Sequence, residues 1–267
     1  MYTIGIDVGG TTTKFGIVDA EGNILQQDRI PSNTHDFVED FIEELHSKLK
    51  PMIEKVGKEN IKGIGMGAPN GNVHTGTIEY APNLKWKGII PMAELMQKKF
   101  DLPTRLTNDA NAAAMGEKLY GCTKQINHFI TITLGTGVGS GIVIDGNIVV
   151  GHDGFAGELG HTIIRPGGRL HPKTGLRGSL EAYASASGVC QTAIELLERS
   201  PERESLLRDI PKDELTSEII FTCAEKGDEM AKEVYEFTGQ ILGESIANFV
   251  LFSSPEVIVL FGGVTKA

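Results

Sequence analysis

Asp7-Val8-Gly9-Gly10-Thr11-Thr12-Thr13-Lys14 sets a carboxylate before two residues without side chains, then three hydroxyls and a cation. That set suits a metal-bound phosphate. Where glycine removes the Cβ, backbone N–H groups approach phosphate oxygens closely. The three hydroxyls of Thr11, Thr12 and Thr13 add donors, and Asp7 is suited to hold Mg2+ through water, since magnesium usually keeps several of its waters. Taken alone, the stretch also reads as an ordinary glycine-rich hairpin with Lys14 in solvent. A second run, Gly135-Thr136-Gly137-Val138-Gly139, is not a Walker A loop, because GxxxxGK[ST] occurs nowhere in the chain. It also fails as a dinucleotide fingerprint, because it leads into a strand and hairpin pattern instead of a helix. Two such turns at equivalent points of a repeat would grip one polyphosphate from both sides. A third candidate, Asn108-Asp109 ahead of the alanine-rich run to Leu119, places a carboxylate at a strand-to-helix junction, a recurring site geometry in α/β folds.

The elements that hold these residues follow from hydrophobic spacing. Ile4, Ile6 and Val8 alternate as in a strand, Gly9 to Thr12 turns the chain, Phe15 to Val18 returns it, and a third strand starts at Ile24. Phe37, Phe41, Leu45, Leu49, Ile53 and Val56 recur every three or four residues, which predicts an amphipathic helix laid on that sheet. Ile61 to Gly67 is expected to be a buried strand, Met92 to Phe100 a short helix and Thr104 to Thr107 a strand. Asn108 and Asp109 open the next helix and Gly121 closes it. The second half then repeats the opening. Phe129 to Leu134 is a strand, the glycine run a turn, Gly141 to Ile144 the return, and Asp145-Gly146 a hairpin signal. Gly16-Ile17-Val18 matches Gly141-Ile142-Val143 at an offset of 125, and Gly22-Asn23-Ile24 matches Gly146-Asn147-Ile148 at an offset of 124. Helices are expected from about Leu180 to Glu198 and from Met230 to Phe249, and a last buried strand runs from Val257 to Leu260. The self-similarity predicts two related α/β domains, 1–115 and 116–267, with a cleft between them.

Bulk properties narrow the partners. A net charge of −10 argues against a broad nucleic-acid or anionic-membrane surface, both of which need a basic face. No run approaches the roughly 18 apolar residues of a membrane helix, and Met1-Tyr2-Thr3 enters a strand at once, leaving no room for a signal peptide. The cytoplasm is the expected compartment. Cys122, Cys190 and Cys223 are far apart and form no CxxC pair, so buried free thiols are expected instead of a disulfide framework or a cysteine zinc site.

With these motifs in order, the chain resembles the ROK family of sugar kinases and sugar-responsive repressors, glucokinase-like, within the actin-like, hexokinase-like (ribonuclease H-like) ATPase fold. The likeness runs from residue 4 to the end. It rests on Asp7-Val8-Gly9-Gly10-Thr11, on Asn108-Asp109-Ala110-Asn111-Ala112, and on Leu134-Gly135-Thr136-Gly137-Val138-Gly139 through Gly151 to Gly157-Glu158-Leu159-Gly160-His161. It implies duplicated domains, ATP with Mg2+, and phosphorylation of a hexose, most simply glucose to its 6-phosphate. It also implies phosphate contacts from Asp7, Gly9, Gly10, Thr11, Thr12, Lys14, Gly135, Thr136, Gly137 and Gly139, and an adenosine-side turn at Gly262-Gly263. Asn83, Asn108, Glu158, His161 and Glu181 would surround the sugar with Asp109. Phosphoryl transfer asks a protein mainly to position reactants, neutralise charge and orient the nucleophile, and Asp109 suits the last role as base. Each residue has a plainer alternative: Asp109 as a helix-start carboxylate satisfying backbone donors, Glu158 and His161 as a surface turn, Glu181 as a solvated helix face, Asn83 as a turn residue.

Two departures from the family pattern stand out. The cysteines of its CxCGxxGCxE zinc motif are replaced by Pro172, Thr174 and Ser179, none a substitute for thiolate at tetrahedral zinc. No zinc is expected, His171 reads as a loop histidine, and hydrogen bonds from Thr174, Arg177 or Ser179 are the expected replacement. Family members also continue past the point matching Ala267 into further adenosine-site loop and a closing helix, so the second domain is expected to be shortened. An N-acetylmannosamine or fructose kinase, a sugar-responsive regulator, and a sugar-binding protein without turnover remain alternatives. A dimer or tetramer is implied by the resemblance alone.

Overall fold

A computed structural model describes residues 1–172 and 174–266, which form two compact units: Met1–Gln125 with Asn147–Ala156, and Ile126–Gly146 with Gly157–Ala267. In the first, β1 (Tyr2–Val8), β2 (Thr12–Asp19) and β3 (Ile24–Pro31) make an antiparallel meander, and α1 (Val38–Val56) leads to β4 (Ile61–Ala68). Short strands β5 (Gly71–Asn72), β6 (Thr77–Glu79) and β7 (Ile89–Ile90) form a separate sheet, then α2 (Met92–Phe100), β8 (Thr104–Asn108) and α3 (Asp109–Tyr120) follow. The main sheet has the order β3-β2-β1-β4-β8, with β4 parallel to both β1 and β8.

Strand alternation decides which face is buried. Ile4 and Ile6 lie beside Ile17 and Phe15 on one neighbour and Ile64 and Met66 on the other. Phe41, Leu45 and Leu49 of α1 join them in one buried cluster. Each such side chain contributes roughly 1.5–3 kcal/mol when removed from water. Phe37 is not part of the stripe. It is 68% exposed, because its backbone is still extended and the helix starts one residue later. On the opposite face Gly5 faces Gly16 and Gly65, and these small residues floor a groove of about 1010 Å³ rimmed by Val18, Met115 and Ile148.

The second unit is built around β9 (Phe129–Leu134) and β10 (Val138–Ile144), with β11 (Asn147–Ile148) counted in the first unit. Helices α4 (Glu181–Ala184), α5 (Ala186–Arg199), α6 (Ser217–Glu225) and α7 (Glu229–Ser253) precede β12 (Val257–Phe261). The order β10-β9-β12, antiparallel then parallel, matches β2-β1-β4. Val8 pairs with Thr13 but Leu134 with Val138, so the second turn is one residue shorter. Asp145 (φ 50°) and Gly146 (φ 74°) take the positive φ pair that a type I′ turn requires.

The structure differs from expectation in several places. A boundary after residue 115 would cut α3, a continuous helix, so the division lies at Gln125 and Asn147–Ala156 returns to the first unit. The helix expected from Leu180 to Glu198 breaks at Ser185, which is extended and accepts the Gly188 N–H to start α5 afresh. Gly121 ends α3 in an extended conformation, not a left-handed one. Cys223 is buried, Cys190 half-buried and Cys122 exposed, all three free thiols.

Candidate active site

The first glycine turn is pinned at both ends. Gly9 N–H donates to Thr12 O at 3.2 Å and Ser32 N–H to Thr11 O at 2.9 Å. A Cβ on Gly10 would lie 2.9 Å from Asn83 Cβ, so only glycine lets the turn meet the Asn83 loop. Asp7 and Lys14 are cross-strand neighbours with exposed side chains. Of the three hydroxyls, Thr13 is withdrawn: it is fully buried with its Oγ1 2.7 Å from Ser32 Oγ. Thr11 and Thr12 remain accessible.

β8 delivers the next residues to the start of α3. Asn108 caps the helix by accepting Asn111 N–H at 2.7 Å through Oδ1, so a hydrogen bond given to a ligand would come from its Nδ2. Asp109 follows, close against Gly67 of β4, whose added Cβ would lie 3.4 Å from Asp109 Cα. More than a third of Asp109's surface reaches solvent, yet burial of the carboxyl is the largest cause holding its pKa above the ordinary carboxylate value. The negative charge of Asp7 adds to this and the hydrogen bond from Ala110 N–H opposes it. Its solvent-facing side screens the charge, so a raised but ionisable carboxylate describes the group. Asp7 beside it suits Mg2+: hard oxygen, open to water. Among the described residues no group of three or more His, Cys, Asp or Glu is poised to hold a metal.

In the second unit the turn Gly135-Thr136-Gly137 is tied to α5 by Ala186 N–H, which donates to Gly135 O at 2.8 Å. Val138 and Gly139 belong to β10. Gly139 N–H already donates to Thr133 Oγ1 at 3.1 Å, so it is a ladder residue and not a turn donor. Gly137 lies against the Glu181 carboxylate: a Cβ there would lie 2.5 Å from Glu181 Oε2 and would displace it. That carboxylate oxygen accepts Val138 N–H at 2.7 Å. Glu158 precedes and His161 ends the one-turn segment Leu159–His161, with His161 Nδ1 3.8 Å from Glu158 Oε2 and Nε2 3.9 Å from Glu181 Oε1. Gly262 (φ 106°) closes β12 against Leu134 O, where a Cβ would lie 2.1 Å away, and so stands beside the Gly135 turn, with Gly263 next in the chain. Glu158, His161, Glu181, Gly135, Gly137 and Gly262 thus share one end of the second unit.

The chain matches the family model described as ROK family over residues 3–267. It belongs to the ROK family. A glucokinase from Halalkalibacterium halodurans is 36% identical over 271 residues, spanning 100% of this chain and 81% of that protein. A ROK family glucokinase from Streptomyces griseus, solved in complex with glucose and AMPPNP, superposes with a TM-score of 0.81 at 30% identity, covering 100% of this chain and 84% of that one. Family members also include regulators: a xylose repressor from Caldicellulosiruptor bescii is 29% identical over 260 residues, 96% of this chain and 64% of the repressor. The α/β architecture with mixed sheets is that of the ROK kinases.

Sequence reasoning passed over two features of this ROK chain. Asn111 is buried, with Oδ1 among the few buried polar atoms lacking a partner in the described residues. His171, read as a loop histidine, is buried and lies 3.0 Å from Glu181. Nothing in its spacing signals this, because a bent loop and not a helix period brings the two together. Thr174 bonds His171 and Ser179 accepts Ala182 N–H, whereas Arg177, among the described residues, reaches Gly168 O.

Proposed function

We propose that this chain is an ATP-dependent hexose kinase that converts glucose to glucose 6-phosphate, with Asp109 as the base. The observation that carries the mechanism is Asp109 itself: a solvent-reachable carboxylate at the capped start of α3, its pKa raised, beside the carboxylate and glycine turn at the end of β1. A sugar hydroxyl gives its proton to Asp109 as its oxygen bonds to the terminal phosphorus of ATP, and the bond to the leaving ADP oxygen breaks. In a loose transition state that proton leaves late, so orientation matters more than base strength. Gly10, Thr11 and Thr12 would donate to phosphate oxygens, with Gly9 closing the turn that presents them, joined by Lys14 and by the turn Gly135-Thr136-Gly137. Gly262 and Gly263 would face the adenosine. Asp7 would hold Mg2+ through water, and the ion when bound neutralises phosphate charge. Asn83, Asn108, Glu158, His161 and Glu181 would bind the sugar hydroxyls.

The reading includes no zinc, and plasma-emission analysis of purified protein is expected to find far less than one zinc per chain. The deciding experiment is a coupled ADP-release assay over a panel of hexoses and amino sugars with Mg-ATP, run on wild type and Asp109→Asn. Turnover with glucose, lost in the variant while glucose still shifts its melting temperature, is the expected result. Comparable turnover in the variant would sink the base assignment. Sugar binding without ADP release in the wild type would instead assign a regulatory or sugar-binding role.

A further inference from the structure

The loop from 170 to 177 carries a buried imidazole that none of the roles above uses. His171 is 8% exposed, and its backbone is fixed by a tight turn in which His171 N–H donates to Leu176 O at 2.8 Å and Gly175 N–H to His171 O at 2.9 Å. One ring nitrogen, Nδ1, lies 2.9 Å from Thr174 Oγ1, and the other, Nε2, lies 3.0 Å from Glu181 Oε1. The direction of this chain follows from donor and acceptor counts. A carboxylate oxygen can only accept, so the Nε2 proton faces Glu181 Oε1; in the neutral ring Nδ1 is then the acceptor and takes the Thr174 O–H, while Thr174 Oγ1 itself accepts Leu176 N–H at 3.3 Å. The second oxygen of Glu181 accepts Val138 N–H at 2.7 Å. Both oxygens of a carboxylate whose side chain is only 14% exposed are therefore held, one by the loop and one by β10. His161, 40% exposed and 3.9 Å from Oε1, is too far to share that duty.

We infer that His171 is a positioning residue for Glu181: Thr174 and His171 form a strut that fixes the direction of the Glu181 carboxylate and through it the affinity for sugar. The inference rests on the reading of Glu181 as a sugar contact. Glu181 opens a helix of four residues, too short to restrain a long side chain by itself, and a carboxylate fixed before the sugar arrives loses less rotamer freedom on binding. The strut reaches Glu181 through the loop and holds Oε1, whereas Oε2 is held separately by Val138 N–H beside the Gly135-Thr136-Gly137 turn, so the larger effect is on sugar affinity and the smaller on the nucleotide side.

Steady-state kinetics on the full chain test this. His171→Leu fills the volume without a donor and is expected to raise KM for glucose roughly tenfold, the scale of one lost hydrogen bond to a charged group, with kcat and KM for ATP little changed. His171→Gln, which keeps a donor, should recover most of the loss, and Thr174→Val should move KM for glucose the same way by less. A purely structural histidine would lower the melting temperature without this selective split. If His171→Leu leaves KM for glucose unchanged while Glu181→Gln raises it, the strut is refuted. An unchanged KM in Glu181→Gln removes the sugar-contact reading and the strut with it. Should His171→Leu fail to fold by circular dichroism, Thr174→Val decides alone: a raised KM supports the strut and an unchanged one overturns it.

Discussion

β4 and β12 occupy matching places, each parallel to the first strand of its unit, yet they live in different surroundings. β4, Ile-Lys-Gly-Ile-Gly-Met-Gly-Ala, carries three apolar side chains larger than alanine, and all three are buried between β1 and β8. β12, Val-Ile-Val-Leu-Phe, is apolar throughout, but none of its residues is buried, and Leu260 is 40% exposed. Among the described residues β12 is an edge strand and β4 an inner one. Apolar content states what a strand would gain from burial; its neighbours decide whether it gains it. The chemistry divides between the units as well. The first presents Asp109 on a strand-to-helix junction, where burial and Asp7 tune the group, whereas the second presents Glu181 held by hydrogen bonds from a loop and a strand.

The largest expected effect separates those two roles. Asp109→Asn should lower kcat by about 10²–10⁴-fold, the usual range for general-base catalysis, whereas Glu181→Gln should act mainly on KM for the sugar. Single-turnover and steady-state rates would show it, and a pure KM effect at Asp109 would break the division. Next come the strands. Ile64→Ala should cost about 2–5 kcal/mol as a cavity in a packed core, while Ile258→Ala at the half-exposed position opposite Ile130 should cost clearly less. Urea unfolding of both variants compares them, and equal losses would mean that β12 is covered in solution.

Smaller effects belong to the caps. Asn108→Ala on α3 and Ser185→Ala on α5 should each cost about 1 kcal/mol, but only the first is expected to lower turnover as well, because Asn108 adjoins Asp109, the proposed base. Smallest is the pH linkage of Asp109. Its folded pKa lies above the ordinary value, so its contribution to stability is present at low pH and fades as pH rises through the folded value. Asp109→Asn should accordingly melt slightly above wild type at neutral pH, and the gap should close below the ordinary carboxylate pKa. The acid limb of the wild-type kcat/KM profile, which reports the free enzyme, should also sit above the ordinary aspartate value. A variant that melts below wild type at neutral pH would contradict the burial of that charge.

Much of this architecture can be read from spacing. The alternation of Ile4, Ile6 and Val8 and the three-to-four spacing of Phe41, Leu45 and Leu49 report local periods, and local periods survive into the fold. The match of Gly16-Ile17-Val18 with Gly141-Ile142-Val143 likewise anticipated two hairpins of the same order. Thr13 was misjudged because a hydroxyl beside a glycine turn looks like a donor until Ser32, nineteen residues away in sequence, is known to occupy it. A glycine run does not say where the turn stops and the ladder begins, and Gly139 falls on the ladder side, paired with Thr133. Ser185 hid inside an apolar run, its capping role visible only once the chain bends there.

By itself the sequence determined the periodic elements, the two glycine turns, the placement of Asp109 at a strand-to-helix junction and the membership of the ROK family. These depend on neighbours along the chain, where covalent geometry leaves few choices. Only the tertiary structure decided that Asp109 feels Asp7, that Gly137 lies against the Glu181 carboxylate, and that His171 and Thr174 brace that carboxylate. Those relations join residues that the chain must bend to bring together, and burial and hydrogen bonding act on distance in space, not on distance in sequence.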